Sequence, residues 1–150
     1  MVVPTRITHA AYERAEERGV CVAGFGELLD ALSLDDDISQ HIDSRESYER
    51  RRLVRNKAVT SLKRKGHHAY EVRRKRLRPL VIITTDEYEF TVDRLYNLLD
   101  SYDGVAVDVI VIANPSCYGL STDSRKAAEW AGVSLALFGD FLDRVGTNWT

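Results

Sequence analysis

Cysteine is scarce: Cys21 and Cys117 are the only two in 150 residues. That is too few to staple a chain of this size, and they lack the spacing of a metal site, so both are expected to be reduced thiols. Long apolar runs are also missing. The longest, residues 79–85 and 104–113, fall well short of the roughly 20 residues a spanning helix needs. No charged-then-apolar leader opens the sequence, so a soluble, cytoplasmic chain with no membrane partner is expected. What remains is 44% hydrophobic and 29% charged, a composition that supports one good core.

Acids are almost absent from residues 50–78, where thirteen bases face the single acid Glu71, a net of +12. The chain as a whole carries −2, so the flanks hold −14. Such polarity along a sequence points to a polyanionic partner. Arg50, Arg51, Arg52, Arg55, Lys63, Arg64, Lys65, Arg73, Arg74, Lys75, Arg76 and Arg78 are the candidate contacts to DNA or RNA phosphate. Arginine matches phosphate geometry in bidentate fashion, and counterion release rewards several such contacts. The competing expectation is internal neutralisation by Asp35, Asp36, Asp37 and the acidic helices.

Periodicity predicts a helix over residues 8–18, a short strand over 20–23 and a helix over 25–32, then an acidic linker over 33–47. A long basic helix is expected from Ser44 to Gly66, followed by strands over 68–74 and 79–85 and a helix over 90–102. A strand over 105–113, a helix over 122–131, a strand over 133–137 and a terminal helix over 138–145 complete the pattern. This alternation predicts an α/β fold with a mostly parallel central sheet flanked by helices.

Residues 15–30 align without gaps on 128–143 with nine identities in sixteen, among them Gly19 with Gly132 and Phe25 with Phe138. Such a match indicates duplication. Val2-Val3-Pro4 also parallels Ile112 to Pro115, so residues 1–32 read as the end of a module whose beginning is absent. That incomplete repeat suggests a homo-oligomer or assembly module in which the segment completes a sheet with another copy.

The run Val109 to Pro115, then Ser121-Thr122, Ala127-Ala128, Ala131 to Leu135 and Phe138 to Leu142, resembles the closing segment of Mrr-type restriction-endonuclease-like domains. The resemblance covers about the last 45 residues and again the first 32, and implies a restriction-endonuclease-like domain over 48–150. The helix from Ser44 is similar to that family's first helix. Catalysis there needs an acid on one strand and Glu-x-Lys on the next, which together hold Mg2+. Here Leu80 to Thr85 occupies the expected Glu-x-Lys strand, and residues 66–90 are one strand short of the pattern. The resemblance therefore implies a nucleic-acid-binding relative with a degenerate centre. Glu49, Glu71 and Arg73 are the remaining catalytic candidates, with Mg2+ as the cofactor of any surviving activity.

A Rossmann-like nucleotide-binding or sensor domain is the alternative, with ligand groups at strand ends: Thr84 to Glu87, where Asp86 and Glu87 are candidate metal ligands, and Asn114 to Gly119. The latter loop lacks a glycine-rich fingerprint. His67-His68 has no carboxylate-rich motif beside it and is expected to hold no metal.

Overall fold

A computed structural model describes residues 7–34, 37–38 and 41–149. The parallel between Val2-Val3-Pro4 and residues 112–115, and the acids Asp35 and Asp36, lie outside the described residues. Helix α1 (His9–Arg18) starts where the Thr8 hydroxyl accepts from Ala11 N and stops at Gly19, which is left-handed at φ 64°. Helix α2 (Phe25–Leu34) begins with Glu27 accepting from Gly24 N at 2.6 Å. Helix α3 (Ser44–Val54) is capped by Asp43, whose carboxylate accepts from Arg45 N and Glu46 N.

The expected long basic helix ends at Val54 and is eleven residues long. Asn56 stops it: its side-chain oxygen accepts from Ala58 N at 3.0 Å and its amide donates to Leu142 O at 2.7 Å. Such an Asx turn competes with helix propagation, and Val59-Thr60-Ser61 are poor helix formers. Residues Val59–Gly66 instead form strand β1. With β2 (Ala69–Arg74) and β3 (Leu77–Thr85) it makes an antiparallel meander. Residues 66–90 hold the two strands expected of them, and β1 precedes that stretch. Two-residue turns join the meander, at His67-His68 and Lys75-Arg76, with His68 at φ 50° and Arg76 at φ 60°. Pro79, without an N–H, is accommodated because β3 meets its parallel neighbour only from Ile82 onward.

Helix α4 (Val92–Ser101) leads to β4 (Val109–Ile112), α5 (Thr122–Trp130) to β5 (Ser134–Leu137), and α6 (Phe138–Arg144) closes the fold. The chain is an α/β protein with a five-stranded mixed sheet in the order β1-β2-β3-β4-β5. The expected mostly parallel sheet is corrected: two strand pairs are antiparallel and two parallel. The cause is the replacement of a helix by β1, since strands joined by two-residue turns must run antiparallel. The expected strand over 20–23 is not formed among the described residues, and the expected strand over 105–113 shortens to four residues.

The sheet has an apolar cluster on each face. Leu53, Tyr70, Val72, Leu80, Ile82, Phe138 and Phe141 lie on the side of α3 and α6, while Ile83, Phe90, Leu95, Leu98, Ile110 and Ala128 lie on the side of α4 and α5. Alternation along each strand deals side chains to the two faces. β4 is buried throughout, as a strand covered on both sides should be. No helix among the described residues is long and apolar enough to cross a membrane.

Candidate functional site: a buried carboxylate and a divided basic segment

The stripe Glu46, Glu49, Leu53 forms the buried face of α3, so the spacing that should turn apolar residues inward turns two carboxylates inward as well. Glu49 is fully buried. Its Oε1 accepts from Arg45 Nε at 2.8 Å. Its Oε2 accepts from the Thr84 hydroxyl at 2.7 Å and the Tyr70 hydroxyl at 3.1 Å, and lies 3.2 Å from His68 Nδ1. Arg45 also donates to Thr84 O at 2.9 Å. One carboxylate thus ties α3 to the β1–β2 turn, to β2 and to β3. Burial pushes the Glu49 carboxyl up. The hydrogen bond and charge of His68, the Thr84 hydroxyl and Arg45 outweigh it, leaving the group below the usual glutamate range. Burial beside this anion pushes the Tyr70 phenol far up.

The other candidates do not join Glu49. Glu71, one residue along from Tyr70, takes the opposite sheet face and pairs with Arg73 at 3.0 Å on the surface. Asp108, a further carboxylate just before β4, also stands apart: it accepts from Val81 N and pairs with Arg78 at 2.9 Å. Glu87 is held by Arg94 at 2.6 Å, and Asp86 is exposed beside it. No group of three or more His, Cys, Asp or Glu among the described residues is placed to hold a metal. Magnesium does not fit at Glu49 either. Protein donors already occupy both its oxygens, and Tyr70 and Thr84 stand on the facing strands where further metal-binding or cationic groups would be needed.

The loop after β4 closes on the loop after β3. Tyr118 N donates to Tyr88 O at 3.1 Å, and Phe90 bridges Leu120. Asn114 accepts from Ser116 N within its own turn, and Cys117 is half-buried with its thiol directed at Gly119 O.

The basic segment divides in two. Along β1, Lys63 pairs with Glu13 at 3.1 Å and Glu17 at 2.9 Å, and Lys65 with Glu13 at 2.6 Å. Arg50 bridges Glu16 at 2.6 Å and Glu46 at 3.3 Å, while Arg64 reaches Glu46 at 2.8 Å, lies over the Tyr12 ring and donates its backbone N–H to Glu16. The hydrogen bonds from Lys65 and Lys63 hold the Glu13 carboxyl below its ordinary value. Helix α1 therefore covers the outer edge of the sheet with its own acids. The fit is close, since a Cβ at Gly66 would fall within 2.9 Å of three His9 atoms. Arg73 and Arg78 make the surface pairs already described. Arg74 is buried and donates to Arg78 O, Val145 O and Thr147 O, satisfying carbonyls at the end of α6.

Arg51, Arg52, Arg55, Lys57, Lys75 and Arg76 are different: all are exposed and none has an ion pair among the described residues. They meet at one end of the meander, where Lys75 N donates to Ala58 O at 2.9 Å and brings the β2–β3 turn beside the α3–β1 connection.

Fold and site together define an α/β domain with a protein-satisfied buried carboxylate and an unneutralised cationic corner. No protein-family model, curated protein or solved structure matches the chain.

Proposed function

We propose that this is a nucleic-acid-binding protein related to restriction endonucleases whose catalytic centre is degenerate. One observation carries the binding half: the cations Arg51, Arg52, Arg55, Lys57, Lys75 and Arg76 share one corner and lack ion-pair partners among the described residues. Unpaired arginines and lysines close together fit a phosphate backbone and release its counterions on contact. The degenerate centre is supported by the meander. On the faces of β2 and β3 that look toward Glu49, the residues are Tyr70, Val72, Leu80, Ile82 and Thr84. An acid on the first of these strands and Glu-x-Lys on the second are what the resemblance would require, and Ile82-Ile83-Thr84 stands there instead.

Fluorescence anisotropy of labelled duplex and single-stranded DNA and RNA, titrated across a salt series, tests the proposal. If all six cations contact phosphates of a duplex, log K against log salt should fall with a slope of roughly −5. Absence of binding at low salt, or binding indifferent to salt, defeats the proposal. Magnesium-dependent cleavage of the same probes would defeat the claim of degeneracy alone.

A further inference from the structure

We propose that the segment at residues 20–24, which forms no strand of its own, is with helix α2 a docking element that adds to the free β5 edge of a second copy of this chain, so that copies associate head to tail. The two halves of the internal duplication carry the inference, because they share local structure and differ in surroundings. Gly19 and Gly132 are both left-handed, at φ 64° and 74°. Val20 N donates to Ala15 O and Val133 N to Ala128 O, each at 2.9 Å. The second half is covered, whereas the first buries Ala31 and leaves its larger apolar side chains open. Phe138, Phe141 and Val145 are 7%, 0% and 0% exposed, and their counterparts Phe25, Leu28 and Leu32 are 72%, 39% and 59% exposed.

What covers the second half is a parallel strand, β4, and the apolar sheet face beside it. The sheet has two outer strands. On β1 the Arg64 N–H is taken by Glu16 of α1, so that edge is capped by the chain's own acids. The outer side of β5 has no strand partner among the described residues, its Leu135 and Leu137 are only half-buried, and Trp130 beside it is 89% exposed. Arg14 and Arg18 of α1 are exposed without ion pairs among the described residues and can pair with Glu129, which is exposed next to Trp130 on a surface it shares with Arg125 and Arg144. The two surfaces cannot meet within one copy. Helix α1 is anchored on β1 through buried Tyr12 and Ala15, and β5 lies four strand spacings away, about 19 Å. A head-to-tail contact between copies follows.

Sedimentation velocity of the full chain, free of nucleic acid, over a concentration series up to about 100 µM tests this independently of the phosphate-binding proposal. The wild type should form species larger than a dimer as concentration rises. Leu29→Glu on α2, and the double variant Glu129→Lys/Trp130→Lys at the β5 edge, should each weaken self-association at least tenfold while retaining the wild-type circular dichroism spectrum. Mixed, the two variants should form a one-to-one dimer, because each keeps the surface the other lacks. A wild type that stays monomeric, an edge variant that associates like the wild type, or a mixture with no heterodimer would each overturn the proposal.

Discussion

Arg50 and Arg51 are neighbours on one helix, yet they belong to different chemical surfaces. Arg50 faces α1 and is shared between Glu16 and Glu46, whereas Arg51 faces solvent with Arg52 and Arg55. The same division separates Lys63, Arg64 and Lys65 from Lys75 and Arg76. Charge density along the sequence is similar in both halves, so the difference comes entirely from what packs against them. Where α1 lies along β1, the cations serve the protein's own edge; on the other side, no acid among the described residues pairs with them. Exposed ion pairs of the first kind are worth only about 0–1 kcal/mol each, so α1 depends equally on buried Tyr12 and Ala15 and on the stacking of His9 on Tyr102 at 4.2 Å.

The contrast should break completely if the frame beneath it fails. Glu49→Ala strands Arg45, His68, Tyr70 and Thr84 without their shared acceptor, at a cost on the order of 3–5 kcal/mol by analogy with opened buried ion pairs. Urea unfolding should register it as a lower midpoint. Glu49→Gln keeps the shape and should cost less. The pH dependence has a definite sign. Because the folded-state pKa lies below the ordinary value, the contribution of Glu49 is fully present above about pH 4.3. It is lost as the pH falls through the depressed folded value. The acid limb of stability should therefore flatten in Glu49→Gln, and an unchanged limb would show that other carboxylates dominate acid unfolding.

Within an intact frame, the sharpest separation of the halves is charge reversal on the unpaired side. Arg55→Glu with Arg76→Glu should weaken duplex binding on the order of 100-fold at low salt and lower the salt slope by about 2. Both side chains are exposed, so stability should move by less than about 0.5 kcal/mol. Equal loss of binding from Lys63→Ala/Lys65→Ala would erase the distinction. That pair is expected to reduce affinity by less than about threefold and stability by less than about 1 kcal/mol.

The legible part of the sequence was the run from α4 to α6, where strand and helix periods alternate cleanly and the boundaries fall within a few residues of those observed. The boundary at Val54 was not legible. Leu53, Val54, Ala58, Val59 and Leu62 keep a helical rhythm that Asn56 interrupts through its turn with Ala58 N, fixed by a tertiary hydrogen bond to Leu142 O. Glu49 was visible as a candidate, but of its partners only Arg45 is on the same helix, and His68, Tyr70 and Thr84 come from three other places in the chain. A local signal for it did exist, in that Glu46 and Glu49 occupy the same helical stripe as Leu53. The basic segment was legible as composition and not as surface, since pairing with Glu13, Glu16 and Glu17 spans more than thirty residues of sequence.

The gentlest perturbation asks whether the paired half is withheld or merely idle. Glu13→Gln with Glu17→Gln removes both carboxylates facing Lys63 and the one facing Lys65, while Glu16 continues to hold Arg50 and the Arg64 backbone. Helix α1 should stay docked, because Tyr12 and Ala15 remain buried against the fold. Two lysines would then face solvent beside the unpaired corner, and duplex affinity should rise by about threefold with a salt slope steeper by up to about 2. A matching rise for single-stranded probes would mark the gain as general electrostatics. No rise for any probe would mean that Lys63 and Lys65 point away from the bound phosphate path, confining the nucleic-acid surface to the corner formed by α3 and the β2–β3 turn.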